Sequence, residues 1–445
     1  MYVSKPPDLS EIAGKLNGSR IAATLDPTAA DGTAQTYLHW DKLRHLSPPG
    51  NLSPEEWWLR LKLGRGPLLT KLPLRDQRNK PFTYGTPSAV QRLLRYVDQH
   101  CSGEIAMAEV VTTDEQARRH YLVNSLMEEA IRSSQLEGAT TSRQAAKELL
   151  RSGRQPRDRS ELMILNNYRA LEFMRDSMGN ELTPELVMTL QRILTEGTLD
   201  DPTAAGRLQG PDEERVVVLD IGDGTIIHTP PPADQLPERL AAMCSFANQP
   251  EDDPDGFVHP VIRAILLHFW LAYDHPFVDG NGRTARALFY WHMRTHGYWL
   301  IEYLSISGIL RKAPAKYTKA FLFTETDEGD TTYFILHQLE VIRQAVEDLN
   351  AYLQRKVEEV RDVETLIRDA DEFNHRQLAL LTDAIRHPNS TYTYRSHAVS
   401  HRVAEETARS DLIQLRDTGL LLRRKTGHKH VYSAVPNLVQ ALKSH

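Results

Sequence analysis

HPFVDGNGRTAR, residues 275–286, holds a histidine, an aspartate, two glycines around an asparagine, and two arginines three apart. The apolar run before it, VIRAILLHFWLAY (261–273), predicts a core helix; it is interrupted by Arg263 and His268 and is too short to span a bilayer. His275 must leave that helix, because a residue preceding proline disfavours helical backbone. Phe277 is the apolar anchor of the loop. Gly280, Asn281 and Gly282 can take conformations that Cβ-bearing residues avoid, which aims successive N–H groups into one concavity. Arg283 to His296 has a helical pattern, so the loop feeds a helix N-terminus, itself attractive to anions. Arg283 and Arg286 project from neighbouring positions on one face, where they can clamp more than one phosphate. Asp279 offers a hard oxygen ligand of the kind Mg²⁺ on a polyphosphate requires. His275 can take a proton near neutral pH. Together these residues predict a nucleotide-polyphosphate site with a metal and a general base.

The rest of the chain bounds this reading. Its 445 residues exceed one ordinary core, so two or three domains are expected. The net charge of −6 gives no global footprint for nucleic acid, and any basic surface must be local. Cys101 and Cys244 lie far apart without metal-ligand spacing, which argues against a disulfide framework or a zinc site and fits a reducing cytoplasm. MYVSKPPDLS lacks the apolar core of a signal peptide, and no membrane association is expected.

Residues 1 to about 35 are polar and aperiodic, and are expected to be a loose tail. In the mixed region 36–100, Ser53 can cap a helix with Pro54 in its first turn, and Trp57 and Trp58 pack it. From 104 to 345 the pattern is helical. Residues 117–138 form one long amphipathic helix stopped at Gly138. Helices starting at Thr141 or Ser142, at 159, and at Thr183-Pro184 follow. RVVVLDIGDGTIIHTPPP (215–232) has β-branched runs on both sides of Gly222-Asp223-Gly224, a hairpin signal. Residues 338–372 read as one charged connecting helix.

The 275–286 stretch resembles the Fic-domain signature H-x-F-x-[DE]-G-N-G-R-x-x-R at every defined position. The hairpin ending in HTPPP is similar to that family's flap, and DEGDTTYFILHQL (327–339) to its closing helix region. The resemblance covers roughly 104–345. It implies a compact helical core that transfers AMP from ATP to a Ser, Thr or Tyr hydroxyl of a protein docked at the flap around 216–230. In that reading His275 deprotonates the hydroxyl and Asp279 holds Mg²⁺. Gly280, Asn281 and Gly282 cradle the α- and β-phosphates, Arg283 contacts phosphates, Arg286 holds the γ-phosphate, and Tyr317 contacts adenine or is simply a packed aromatic. SSQLEG (133–138) resembles the family's inhibitory pattern [ST]-x-x-x-E-[GN] through Ser133, Glu137 and Gly138. Glu137 would then pair with Arg286, which implies autoinhibition, and the reverse reaction, removal of AMP, stays open.

Residues 375–445 have a different texture: a short helix, two helices with a tight turn, and a hairpin around Thr426-Gly427. They resemble a winged helix-turn-helix. Arg402, Arg409, Arg424 and Lys425 are its candidate DNA contacts, since 391–430 holds eight Lys/Arg against four Asp/Glu. Protein contact or homodimerisation is the equal alternative. His397, His401, His428 and His430 have no acidic or cysteine partner in their spacing and are expected to be solvated or wing residues. The expected fold is therefore mainly α: an N-terminal region (1–103), a helical Fic core with a β-hairpin flap (104–345), a connecting helix (346–374) and a C-terminal winged helix. The rival functional reading is a DNA-binding transcriptional regulator whose Fic core senses nucleotide or modifies the regulator itself.

Overall fold

The computed structural model describes residues 3–25, 37–102, 115–215, 217–219, 226–250, 256–368, 373–386, 390–426 and 429–443. The chain is mainly helical and divides into two compact units, one of residues 1–105 with 119–347 and one of 106–118 with 348–445.

The first unit begins with short helices, α1 (Leu9–Lys15), α2 (Gly18–Leu25), α3 (Trp40–Leu43) and α4 (Pro54–Arg65). Described residues 3–25 are thus largely helical, unlike the expected loose tail; residues 26–36 lie outside the described residues. Asp8 caps α1 by accepting from the N–H of Ser10 and Glu11, and Ile12 packs into a cluster with Trp40, Leu43, Trp57, Trp58 and Leu59. Helices of two turns are too short to show a period and are marginal alone; burial against the tryptophans stabilises them. Ser53 and Glu56 form a reciprocal capping box at α4. Arg20 of α2 donates from Nε to Glu56 at 2.7 Å.

A hairpin follows, β1 (Thr70–Arg75) against β2 (Pro81–Tyr84), burying Leu72, Leu74, Phe82 and Tyr84. Next come α5 (Ser88–Val97), α6 (Glu115–Leu136), α7 (Arg143–Ser152), α8 (Arg159–Asp176) and α9 (Pro184–Thr195). Ser142 and Thr183 cap α7 and α9, and Gly138 past the end of α6 has φ +95°. Strands β3 (Val218–Leu219) and β4 (Ile226–His228) pair antiparallel, while the Gly222-Asp223-Gly224 turn lies outside the described residues. Then follow α10 (Leu236–Ala247), α11 (Pro260–Asp274), α12 (Asn281–Thr295), α13 (Ile306–Lys312), α14 (Pro314–Thr326) and α15 (Thr332–Arg368). Every residue of α11 except Ala272 is buried, as expected of a helix apolar on all sides. It packs against α12 and α10.

The N-terminal elements grip the α14–α15 loop. Lys62 pairs with buried Asp327 at 2.8 Å, and Tyr333 donates to the same carboxylate at 2.8 Å. Tyr37 donates to Asp330 at 2.5 Å. A lone buried carboxylate would cost several kcal/mol, so these partners are what allow both aspartates inside.

The second unit contains α16 (His375–Arg386), β5 (Thr391–Tyr392), α17 (Tyr394–His401), α18 (Glu405–Asp417), β6 (Leu421–Thr426), β7 (Lys429–Ala434) and α19 (Leu438–Lys443). Its sheet has the order β5-β7-β6 around a core of Leu380, Leu381, Leu412, Leu415 and Tyr432. His397 is not the solvated residue expected: it is buried, and its Nε2 lies 3.2 Å from Asp411, which also pairs with Arg376 at 2.7 Å. The partner is fourteen residues away and belongs to the next helix, so local spacing could not show it.

Candidate nucleotide-transfer site

The loop between α11 and α12 is held in an unusual backbone path. His275 takes a left-handed conformation (φ 45°, ψ 53°) and its N–H closes α11 on the Leu271 carbonyl at 3.0 Å. A β-carbon-bearing residue there stores about 1–3 kcal/mol of strain, so the surroundings must hold it. Arg215 does so, donating from Nη2 to the carbonyls of Asp274 (2.7 Å) and His275 (3.1 Å) and from Nε to Pro231 (2.9 Å). The Gln209 N–H donates to Pro276 at 2.9 Å. Asn281 turns its side chain inward, accepting from the Phe277 N–H at 2.9 Å and donating to the Phe277 carbonyl at 2.7 Å, and Phe277 is fully buried. Gly280 has φ +86°, and a Cβ there would lie 2.9 Å from Thr195 Cγ2. Removing the Arg215 side chain should cost about 1–3 kcal/mol, the usual price of orphaned buried acceptors. The denaturation midpoint of Arg215→Ala against wild type measures it; an unchanged midpoint means the loop holds itself.

His275 is partly buried, and burial, reinforced by neighbouring His228, lowers its pKa to about 4. One ring nitrogen is satisfied by the Ala272 backbone. The ring is thus neutral at physiological pH, with its second nitrogen available as a base.

Asp279 follows four residues on. Its Oδ1 accepts from the Gly280 N–H at 2.5 Å and its Oδ2 from Arg283 Nη2 at 3.2 Å, and the carboxylate stays 39% exposed. Gln191 fixes the Asp279 carbonyl at 2.9 Å. One accessible carboxylate beside a phosphate cradle fits Mg²⁺, which binds through one or two carboxylates plus substrate phosphates and keeps its waters. Among the described residues no group of three or more potential ligands forms a closed metal site.

Arg283 departs from the expected shared clamp. It is fully buried, and its Nη1 donates to the Leu194 carbonyl of α9 at 3.0 Å. Arg286 reaches a different element. Its Nε donates to Ser133 Oγ at 3.0 Å, and its Nη2 donates to the Ser133 carbonyl at 3.1 Å and to Glu137 Oε1 at 2.9 Å. Residues three apart need not act together once each guanidinium finds its own buried acceptor. Burial opposes the Arg286 charge, but Glu137, Tyr317 and Glu129 together more than offset it and the pKa rises. Glu137 also covers the cradle: a Cβ on Gly282 would come 2.2 Å from its Oε1. The structure therefore brings Ser133, Glu137, Gly282 and Arg286 together from two distant segments.

At the strands, His228 Nε2 donates to the Tyr273 carbonyl at 2.7 Å and Nδ1 lies 2.9 Å from Glu325. Burial lowers its pKa, but the bond to and charge of Glu325, with the Tyr273 carbonyl and Asp274, together outweigh it and the net shift is upward. Tyr317 places its hydroxyl 2.7 Å from His268 Nε2, and its ring packs with Phe321 and Phe334; burial pushes its pKa up to about 12. Sequence reading missed Gln191, Arg215 and Arg239. Arg239 pairs with Asp274, the buried residue before His275, at 2.6 Å. An aspartate inside an apolar helix end was the one available signal that a buried cation must be nearby.

Residues 181–293 match the Fic/DOC family, a span that runs from just before α9 almost to the end of α12. The chain thus carries a Fic-type domain. It is 28% identical over 172 residues to a protein adenylyltransferase fic-1 of Caenorhabditis briggsae, covering 37% of this chain and 31% of that protein. It is 43% identical over 61 residues to a protein adenylyltransferase Fic of Nematostella vectensis, 14% of each chain. These matches span less than a third of each relative. The solved structure of a Fic family protein from Desulfovibrio desulfuricans G20 aligns with a TM-score of 0.53 at 17% identity, covering 79% of this chain and 97% of that one, which shows a common fold.

Proposed function

We propose that the chain is an autoinhibited protein adenylyltransferase acting in the cytoplasm. The observation that carries the reading is the Glu137–Arg286 contact lying directly over Gly282. In the forward reaction the target hydroxyl oxygen bonds to the α-phosphorus of ATP as the bond to the bridging oxygen breaks. The hydroxyl proton goes to the free nitrogen of His275, and pyrophosphate leaves. The N–H groups of the Gly280–Gly282 turn and the start of α12 hold the phosphates in line, with Arg283 bracing the loop and Arg286 on the γ-phosphate. Asp279 would hold Mg²⁺, which would supply charge neutralisation on the phosphates. The target segment docks at β3–β4, within 216–230. Tyr317 remains the candidate adenine contact, and de-AMPylation at the same site belongs to the proposal. The test is transfer of label from α-labelled ATP to protein, compared between wild type and a chain with Glu137 replaced. Asp279→Ala should remove Mg²⁺-dependent labelling; a Mg²⁺ titration of that variant with an unchanged requirement would move the metal elsewhere.

The second unit supports a second reading. Its order of helix, strand, two helices and two strands supports reading it as a winged helix, and Arg402, Arg409, Arg424 and Lys425 are all exposed. DNA binding through them, by a regulator that uses nucleotide only as a signal, gives a salt-sensitive mobility shift and no labelled protein. Protein contact or homodimerisation through the same unit gives neither shift nor loss of labelling.

A further inference from the structure

We propose that the β1–β2 turn, Arg75–Lys80, forms a second wall of the target-docking site and selects segments carrying acidic residues beside the modified hydroxyl. This rests on the transfer reading above and assigns a role to the N-terminal region.

The turn is fastened to the site from two sides. Gln77 Nε2 donates to the carbonyl of Thr229, the residue directly after β4. The Arg75 carbonyl accepts from Arg239 Nη2 at 2.7 Å, and the same arginine pairs with Asp274 beside His275. A chain docked along β4 toward His275 therefore meets this turn.

The turn is also rigid. Asp76 Oδ1 accepts from the N–H of Arg78 (2.9 Å) and Lys80 (2.8 Å), and the Asp76 N–H donates to the Lys80 carbonyl at 2.9 Å. Arg75 Nη1 donates to the Asn79 carbonyl at 2.9 Å. The one carboxylate of the turn is thereby turned inward and engaged by backbone.

What faces outward is positive. Lys71, Arg75, Arg78 and Lys80 are all exposed. Lys80 meets Glu328 at 3.5 Å with both side chains more than half exposed, a pairing of little energy that a ligand can displace. In a chain of net charge −6 this is a local excess of cation at a braced position. Flap docking through main-chain pairing carries little side-chain discrimination; preset cations beside it add it by charge complementarity. Ile226, 62% exposed on β4, offers an apolar contact for the same segment.

The experiment compares two peptide pools with a central Ser, Thr or Tyr, one flanked by Asp/Glu and one by Lys/Arg. Binding is read by fluorescence anisotropy at low and high salt, and AMP transfer is read with the Glu137→Gly chain. The acidic pool should bind ~10-fold tighter at low salt and lose that margin at high salt. The double variant Arg78→Glu, Lys80→Glu should invert the preference with an unchanged melting midpoint, and Arg78→Lys should retain it. Equal binding and labelling of both pools, or a preference that survives charge reversal, overturns the proposal. Turn-dependent binding of acidic peptides without any AMP transfer upholds this surface and sinks the transfer reading instead.

Discussion

Replacing Glu137 with glycine should raise self- and target-labelling by ~10²-fold or more. In the structure Glu137 shares Nη2 of Arg286 with the Ser133 carbonyl, and the Ser133 hydroxyl accepts from Nε. A γ-phosphate needs that same fork, and charge-assisted pairs of this kind are strong and geometrically selective. ATP that seats without Arg286 presents its α-phosphorus off line, and small misplacements at a reacting centre cost about 10²-fold. Glycine removes the carboxylate and adds no bulk beside Gly282. Arg286→Ala should not copy the release, because it removes the phosphate contact with the brake. Labelling rates of wild type, Glu137→Gly and the double variant decide this. A wild type as fast as Glu137→Gly reduces Glu137 to a helix-end residue.

His275→Ala should lower transfer by ~10²–10⁴-fold, the usual cost of losing a general base, while nucleotide binding persists. The pH profile gives a sharper check. Burial lowers the His275 pKa from its ordinary value near 6.5 to about 4. The base must be neutral to accept a proton, and loss of the Glu137 charge, which raises this pKa, moves it lower still, so activity of the released enzyme should hold as pH falls through 6 and drop only at or below about 4. The acid limb should be missing from the residual activity of His275→Ala. A limb at 6.5 in the parent would mean that the catalytic base is not in this buried environment.

The site was legible where its requirements are local. The proline after His275 fixes where α11 must end, and Gly280 fixes a left-handed turn that a Cβ would strain. Both are written into adjacent positions. The capping residues Ser53, Ser142 and Thr183 were legible for the same reason. What stayed hidden are partnerships between residues far apart in the chain. Nothing local shows that Arg283 also meets the Leu194 carbonyl of α9. Asp274 looks like a helix end until Arg239 and Trp270 close on it. Neither α1 nor α2 has enough residues for a helical period, and Ile12 of α1 is buried only by the tryptophan cluster it meets. The pairing of Glu137 with Arg286 was available only through resemblance to a known pattern, since 149 residues separate them.

The closing turns of α6 hang on one small set of bonds. The N–H groups of Glu137 and Ala139 return to the Ser134 carbonyl at 3.1 and 3.0 Å, and that of Gly138 to Gln135 at 3.2 Å. The carboxylate they present and a nucleotide phosphate are alternative ligands of a single guanidinium. Two ligands that exclude each other from one group weaken each other by the same factor. On the proposed transfer reading the end of α6 would therefore report nucleotide occupancy as much as restrain it, and any contact that steadies residues 133–139 from outside would weaken nucleotide binding without touching Gly280–Gly282.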